Sequence, residues 1–353
     1  MLKQALRRIT QGRDLTDQQA AFAMQQIMEG TVSNLQLGAF LAALTTKGPS
    51  EVEVTAFART MREYSLHVPE AGDAFDIVGT GGGVKTFNIS TTAAFVIAAG
   101  GVRVAKHGNR AKTSRSGSAD MLEALGANIF LSPDSCLDML RQIGICYFYT
   151  RYYYYMMKRI DSVRDQLGIR TIFDVLRPLT NPAQAQREIL GVSEEKLVEP
   201  MAHVLAVLGV KRGMVVYGQD GSDEVSAVAP TSVCEFTDHS FLTYEIEPKL
   251  FKLDRAEADE IRGGLPKDNA ALTRRVLRGE KGGARTAVVL NAGAGLYIGG
   301  AAEGLYAGVR KAEELIDNGL AWQKLENFIE MSRNLGQVEK VRLAADKADA
   351  DML

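Results

Sequence analysis

The 353-residue sequence predicts an α/β fold with a mainly parallel central sheet and a small helical domain at its N-terminus. Three observations predict it. Residues 1 to about 66 repeat apolar side chains only at helical spacing. From Phe75 onward, short β-branched runs alternate with helical patterns of about 10 to 15 residues, the rhythm of βα units. Between these regimes stands DIVGTGGGVKTFNIS, Asp76 to Ser90, where an apolar run gives way to glycines and then to a Ser/Thr cluster opening an alanine-rich segment.

In the first region, AAFAMQQIM, LQLGAFLAAL and VEVTAFARTM are separated by Gly30 and by Lys47-Gly48-Pro49-Ser50. Thr16 before Asp17 and Ser50 before Glu51 are predicted N-caps, since a short hydroxyl side chain can accept an otherwise unpaired first-turn N–H. Leu35, Leu37, Phe40 and Leu41 are expected to leave apolar area for a second subunit. In the second region the predicted strands are FDIV, VRVA, ICYFY, EILGV and GMVVYG. Pro230 to Ile246 alternates like one or two antiparallel edge strands, and the chain from Asp254 returns to helix around the buried, small-residue-rich AVVLNAGAGLYIGGAAEGLYAGV. SVRDQLGIRTIFDVLRPLTNPA, Ser162 to Ala183, interrupts the βα rhythm with helical spacing. The expected organisation is therefore a helical domain over 1–66 joined by an insertion at about 162–186, with 72–161 and 187–353 forming the α/β domain.

Composition narrows the function classes. A formal charge of −2 and a pI near 6.2 provide no broad attraction to nucleic acid or to an anionic membrane, so any basic site must be local. The three cysteines, Cys136, Cys146 and Cys234, lack metal-site or CxxC spacing and read as packing thiols of a reducing compartment. The start MLKQALRRITQGRDL has no apolar leader core, and no apolar run nears the ~18 residues of a membrane span. A cytoplasmic protein is expected.

The glycine stretch carries the first chemical signal. A strand that enters a glycine turn and leaves through a helix N-terminus converges backbone N–H groups on one point, which suits phosphate. Gly79, Gly81, Gly82 and Gly83 match neither the dinucleotide nor the P-loop fingerprint, so a tight turn without a ligand stays open. Downstream, AKHGNRAKTSRSGSADMLEALGANI crowds Lys106, His107, Asn109, Arg110, Lys112 and Arg115 beside a second small-residue turn, Ser116 to Ser118. Taken singly, His107 reads as structural and the cations as a solvated face. Paired with two glycine turns at strand ends, where open α/β sheets bind ligands, they point to two phosphate groups. The third signal is Asp223-Glu224 after GMVVYG, because Mg²⁺ is held by one or two carboxylates together with phosphate oxygens.

GTGG, FNIS, KHGNR, SGSADMLEALG, SVRDQLGIRTIF, PLTNPA, SDEVS and VVLNAGAGLY occur in the order and spacing of the anthranilate phosphoribosyltransferase family, and the resemblance spans nearly the whole chain. It implies a homodimer through the helical domain and a phosphoribosyl pyrophosphate site with Mg²⁺. By position, Gly79, Thr80, Gly81, Gly82, Asn88, Ser90, Thr91, Lys106 and Ser118 would hold the donor's phosphates. Asp223 and Glu224, with Ser90, would hold the metal. Lys106, Asn109 and Arg164 are the implied catalytic group, with Asn109 and Arg164 facing a small aromatic amine acceptor and Arg164 meeting its carboxylate.

The chain departs from the family pattern on the acceptor half. The aspartate that follows GTGG is replaced by Gly83-Val84-Lys85-Thr86, a histidine position reads Tyr154 within Tyr152 to Tyr155, and the glycine of N-x-L-G-P-L is Arg177. A guanidinium at a channel mouth either narrows it or recruits a second acidic group, so Tyr154 and Arg177 join the expected acceptor site, and weak or absent turnover of anthranilate with better use of another acidic aromatic acceptor is expected. Two other readings compete: a paralogue using another amine or a nucleobase, and a non-catalytic relative that binds nucleic acid. The charge balance of 41 Lys+Arg against 43 Asp+Glu disfavours the second.

Overall fold

The computed structural model describes residues 2–350 except 67, 69, 70, 72, 112–114, 155 and 239, and over 338–350 it describes only the backbone. Lys112 and Tyr155, both noted above, lie outside the described residues.

Four helices open the chain: α1 (Leu2–Ile9), α2 (Asp17–Met28), α3 (Asn34–Lys47) and α4 (Glu51–Glu63). Thr16 and Ser50 cap α2 and α4 in capping boxes, with Gln19 and Glu53 bonding back to the cap N–H, and Ser33 caps α3 in the same way. The apolar stripe of α3 needs correcting. Leu37, Phe40 and Leu41 are fully buried inside this chain, Phe40 meeting the Phe57 ring edge-on at 6.1 Å, and of the four residues only Leu35 stands out, at 83% exposure. A helix surrounded by α1, α4 and later helices turns most of its circumference inward, so an apolar stripe alone does not identify an outer face.

The α/β part is built on seven strands: β1 (Phe75–Gly79), β2 (Val104–Gly108), β3 (Ile145–Tyr149), β4 (Arg187–Gly191), β5 (Arg212–Gly218), β6 (Thr231–Thr237) and β7 (Ser240–Ile246). Their order is β3-β2-β1-β4-β5-β6-β7, with the first five parallel and β6 and β7 antiparallel. The chain moves outward from β1 to β3 and then resumes on the other side at β4, so the strand order reverses between β1 and β4. That reversal opens a crevice at the carboxyl ends of the strands. After β1 the helices are α5 (Ile89–Ala99), α6 (Ser118–Leu125), α7 (Pro133–Ile143), α8 (Met157–Leu167), α9 (Ile172–Leu176), α10 (Val198–Val207), α11 (Pro266–Leu277) and α12 (Gly283–Ile298), of which α5 and α12, buried on nearly all sides, pack together over the sheet.

The helical segment between β3 and β4 runs through α8 (Met157–Leu167) and α9 (Ile172–Leu176). Both helices pack on α3: Gly38 has no side chain where Leu167 and Val163 approach, 3.7 and 3.8 Å from where its Cβ would stand. Arg159 ties α8 to the α2–α3 turn by donating to the Gly30 carbonyl at 2.8 Å and to Asn34 Oδ1 at 3.0 Å. Among the described residues, no helix is long and apolar enough to cross a membrane.

Candidate active site

A cavity of about 310 Å³ lies at the β1/β4 crevice. Gly79, Gly81, Gly82, Asn88, Ser90, Thr91, Lys106, Asn109, Ser118, Asp223 and Glu224 all line it. Thr80 does not: it is buried, and its N–H donates to the Gly191 carbonyl at 2.9 Å, fastening the glycine loop to β4.

Close approach explains the glycines. A Cβ on Gly79 would stand 2.2 Å from Asp223 Oδ2, and one on Gly191 would stand 1.7 Å from the Asp223 carbonyl oxygen. Bare backbone at the ends of β1 and β4 therefore lets the loop after β5 pass through the crevice and deliver its carboxylates. Gly81 and Gly82 take φ of 67° and 89°, the left-handed region that favours glycine. That turn aims the Gly81 N–H at Asp223 Oδ2, 2.7 Å away.

The second turn is fastened to the first. Asn88, immediately before α5, donates to the Ser116 carbonyl at 3.2 Å, while its Oδ1 accepts from Ser116 Oγ and from Asn269 Nδ2. Ser118 opens α6 (Ser118–Leu125), and its hydroxyl shares a 2.8 Å bond with the Tyr147 hydroxyl. Two helix N-termini, α5 and α6, thus open onto one cavity from adjoining strand ends.

Between them sit groups that burial leaves short of counter-charge. Lys106 is buried on β2; its ammonium donates to the Ile77 carbonyl at 2.5 Å and stands 3.5 Å from Ser90 Oγ. Desolvation draws it below the ordinary lysine value despite Asp76 and Glu224. Glu224 accepts the Ser90 N–H at 3.2 Å, and burial together with Asp223 pushes it up to about 8. Asp223 is raised by burial too, against the Gly81 N–H. The ammonium is favoured by an incoming anion and the carboxylate pair by an incoming cation. Oxygen donors from Ser90, Asp223 and Glu224 line this one cavity, and a side chain at Gly79 would crowd the Asp223 carboxylate; such a donor set suits a hard divalent ion such as Mg²⁺.

His107 is a clamp. Its Nδ1 meets Asp76 Oδ2 at 2.5 Å and its Nε2 meets the Arg177 carbonyl at 2.9 Å. Both ring nitrogens are engaged by the protein, so neither is free to take a proton from a substrate. Burial alone would raise Asp76, but His107, Lys106 and the 2.7 Å bond from Asn181 Nδ2 outweigh it and hold the carboxyl below its usual value. Beside it on β4, buried Glu188 is pushed well up by desolvation and by Asp76.

A second cavity of about 380 Å³ shares Asn109 with the first. Arg177 and Asp161 line it with Tyr149, Arg110, Arg151 and Asp165. Arg177 is ion-paired with Asp161, so the acidic group it recruits belongs to the chain itself. Arg164 is on α8, buried, and lines neither cavity: Nε donates to Thr171 Oγ1 at 2.8 Å, Nη2 pairs with Asp174, and Nη1 stands 3.4 Å from Asp161. Tyr154 is placed differently from its expected position in the acceptor site. It is fully buried, its hydroxyl donating to the Thr180 carbonyl at 2.6 Å, because the segment after β3 turns inward and places Tyr153 and Tyr154 in the core while Tyr152 faces solvent.

Sequence reading missed Asp76, Asn181, Asp161 and Arg170. Asp76 carried a readable signal, a carboxylate inside an otherwise apolar strand. Arg170 carried none; from the turn between α8 and α9 it reaches over the glycine loop and donates to the Gly81 carbonyl at 2.7 Å.

Sequence models of the glycosyl transferase family match the chain twice, the helical bundle domain over residues 3–65 and the a/b domain over residues 71–322. The anthranilate phosphoribosyltransferase of Methanobrevibacter smithii is 46% identical over 335 residues, 95% of this chain and all of that protein. The crystal structure of the Thermus thermophilus anthranilate phosphoribosyltransferase superposes with a TM-score of 0.87 at 40% identity, covering 93% of this chain and 99% of that one. The Saccharomyces cerevisiae enzyme in complex with PRPP and Mg superposes with a TM-score of 0.86 at 27% identity, covering 95% and 98%. With a near-complete alignment, a shared two-part architecture and a cavity that joins glycine loop, buried lysine and paired carboxylates, this chain belongs to the anthranilate phosphoribosyltransferase family.

Proposed function

We propose that this protein transfers the phosphoribosyl group of phosphoribosyl pyrophosphate to the amine of anthranilate or a related acidic aromatic acceptor, releasing diphosphate, and that it works with Mg²⁺ as a homodimer in the cytoplasm. It is a pentosyltransferase. The observation that carries the assignment is the placing of the Lys106 ammonium and the Asp223–Glu224 carboxylates in one cavity, with Ser90 between them. Such a site is charge-unsatisfied in both senses, and a metal–diphosphate satisfies both.

In the reaction the ribose C1–oxygen bond to diphosphate breaks, a C1–nitrogen bond to the amine forms, and the nitrogen's proton passes to water. Ser90, Asp223 and Glu224 would hold Mg²⁺, which when bound supplies charge stabilisation to diphosphate oxygens. Gly79, Thr80, Gly81, Gly82, Asn88, Thr91 and Ser118 form or fasten the walls that take the donor's phosphates, and Lys106 faces the negative charge that develops on the leaving group. Asn109, at the junction of the two cavities, orients the amine toward C1. An aromatic amine needs positioning more than deprotonation, which agrees with a His107 whose nitrogens are both engaged. The acceptor's acidic group falls on the side of Arg164 and Arg177. Exposed Leu35 on α3 supports a dimer through the helical domain, and buried free thiols at Cys136, Cys146 and Cys234 suit a reducing compartment.

The test is diphosphate release from phosphoribosyl pyrophosphate and Mg²⁺ across a panel of aromatic amines. Acceptor-dependent release that stops with a chelator is expected. No release with any amine would refute the function.

A further inference from the structure

Resting on the function just proposed, the geometry of α8 and α9 points to one further assignment: Asp161 and Asp174 are specificity-determining residues, internal carboxylates that occupy Arg164 and Arg177 and so weaken recognition of an acceptor's own carboxylate.

An acid-binding site ordinarily presents a guanidinium whose fork is free to take a carboxylate in two parallel bonds. Two guanidiniums of the α8–α9 corner are already matched, Arg177 on the cavity wall and Arg164 off it, while Arg110 and Arg151 stand elsewhere on that wall. Arg177 pairs with Asp161 at the cavity wall. Arg164, one turn further along α8 from Asp161, pairs with Asp161 at 3.4 Å and with Asp174. Asp161 thus stands between two arginines, and four charges of alternating sign run Asp174, Arg164, Asp161, Arg177 across the α8–α9 corner.

The arrangement is held in place. Asp174 also accepts the Thr171 N–H at 2.8 Å in the capping box that starts α9, and Arg164 Nε is fixed on Thr171 Oγ1. Arg177 ends α9, and its carbonyl is clamped by His107. An incoming carboxylate that takes Arg177 or Arg164 must therefore displace an anchored internal one rather than fill a waiting fork. The internal pairs are covalently tethered and partly desolvated, so displacement costs affinity that an uncharged acceptor of the same shape does not lose. Arg177 Nε is buried without an acceptor, so its pairing with Asp161 leaves one donor unserved.

Calorimetry separates the charge from the ring. Anthranilate and methyl anthranilate are titrated into the protein with Mg²⁺ and diphosphate present, so that no turnover occurs. In the wild type the acid is expected to bind no more than about threefold tighter than the ester. Asp161→Asn keeps the shape and removes the charge, and should tighten anthranilate by about tenfold, or about 1.4 kcal/mol, while moving the ester less than twofold. Asp174→Asn, which keeps a polar side chain at the cap, should shift the acid in the same direction. A wild type that already prefers the acid by more than tenfold overturns the assignment whatever the variants do. So does an Asp161→Asn protein whose acid and ester affinities move together or not at all. If those results come from a protein that still transfers phosphoribosyl groups, the transferase function survives them; a protein that neither binds nor uses any aromatic amine refutes both.

Discussion

Gly79→Ala tests whether the glycine at the end of β1 exists to make room for Asp223. The new Cβ would stand 2.2 Å from Asp223 Oδ2, 2.8 Å from its Cγ and 3.1 Å from its carbonyl oxygen. The first two belong to a side chain that can swing, so the protein should fold, but the carboxylate cannot stay where it is. Swinging it away breaks the 2.7 Å bond from the Gly81 N–H, a charge-assisted bond of the kind worth about 1.5–3 kcal/mol. It also moves one of the three oxygen donors that converge on the proposed metal position. At about 1.4 kcal/mol per tenfold, Mg²⁺-dependent affinity for phosphoribosyl pyrophosphate should fall by roughly 10- to 100-fold. Crowding should add a stability loss of about 1–3 kcal/mol. Gly304→Ala is the control, because a Cβ there meets nothing within 4 Å. The assay is donor titration by calorimetry with and without Mg²⁺, alongside urea unfolding. Donor affinity within twofold of wild type in a folded Gly79→Ala protein would refute the reasoning, since Asp223 would then be shown not to matter where it stands.

Asp223→Asn combined with Glu224→Gln should abolish the Mg²⁺ dependence of donor binding while leaving the fold intact, read by the same titration; unchanged Mg²⁺-dependent affinity would remove these carboxylates from the metal site. Tyr154→Phe should lower stability by about 1 kcal/mol through loss of the bond to the Thr180 carbonyl, and leave the Michaelis constant for the acceptor unchanged; a changed acceptor constant with unchanged stability would return Tyr154 to the acceptor site. Light scattering at micromolar concentration should give about twice the 38.4 kDa chain mass, and a clean monomer would exclude the dimer.

Much of this site was legible because its signals are local. A glycine turn, a strand-end lysine and adjacent carboxylates announce themselves within a few residues, and the fold brings Gly79 to Gly82, Lys106 and Asp223–Glu224 to one cavity or its edge. The strands FDIV, ICYFY and GMVVYG were readable for a similar reason, each being a short β-branched or aromatic run bounded by turn residues. Residues whose role depends on direction were misread. Four consecutive tyrosines gave no hint that Tyr153 and Tyr154 turn inward while Tyr152 faces out, and the stripe on α3 looked like an outer face because the helices that cover it come from elsewhere in the chain.

The sequence by itself determined the two-part architecture, the phosphate-suited turns and the family, because periodicity, turn chemistry and motif order are properties of neighbouring residues. Tertiary structure alone decided which partner each charge takes. Asp76 and His107 are 31 positions apart, Arg177 meets Asp161 from the next helix, and Gly79 and Gly191 matter only because Asp223 passes between β1 and β4. Pairings of that kind depend on distances of a few ångströms between elements remote in the chain. The interaction of two charges changes several-fold with burial and with such distances, and neither is written in spacing along a sequence.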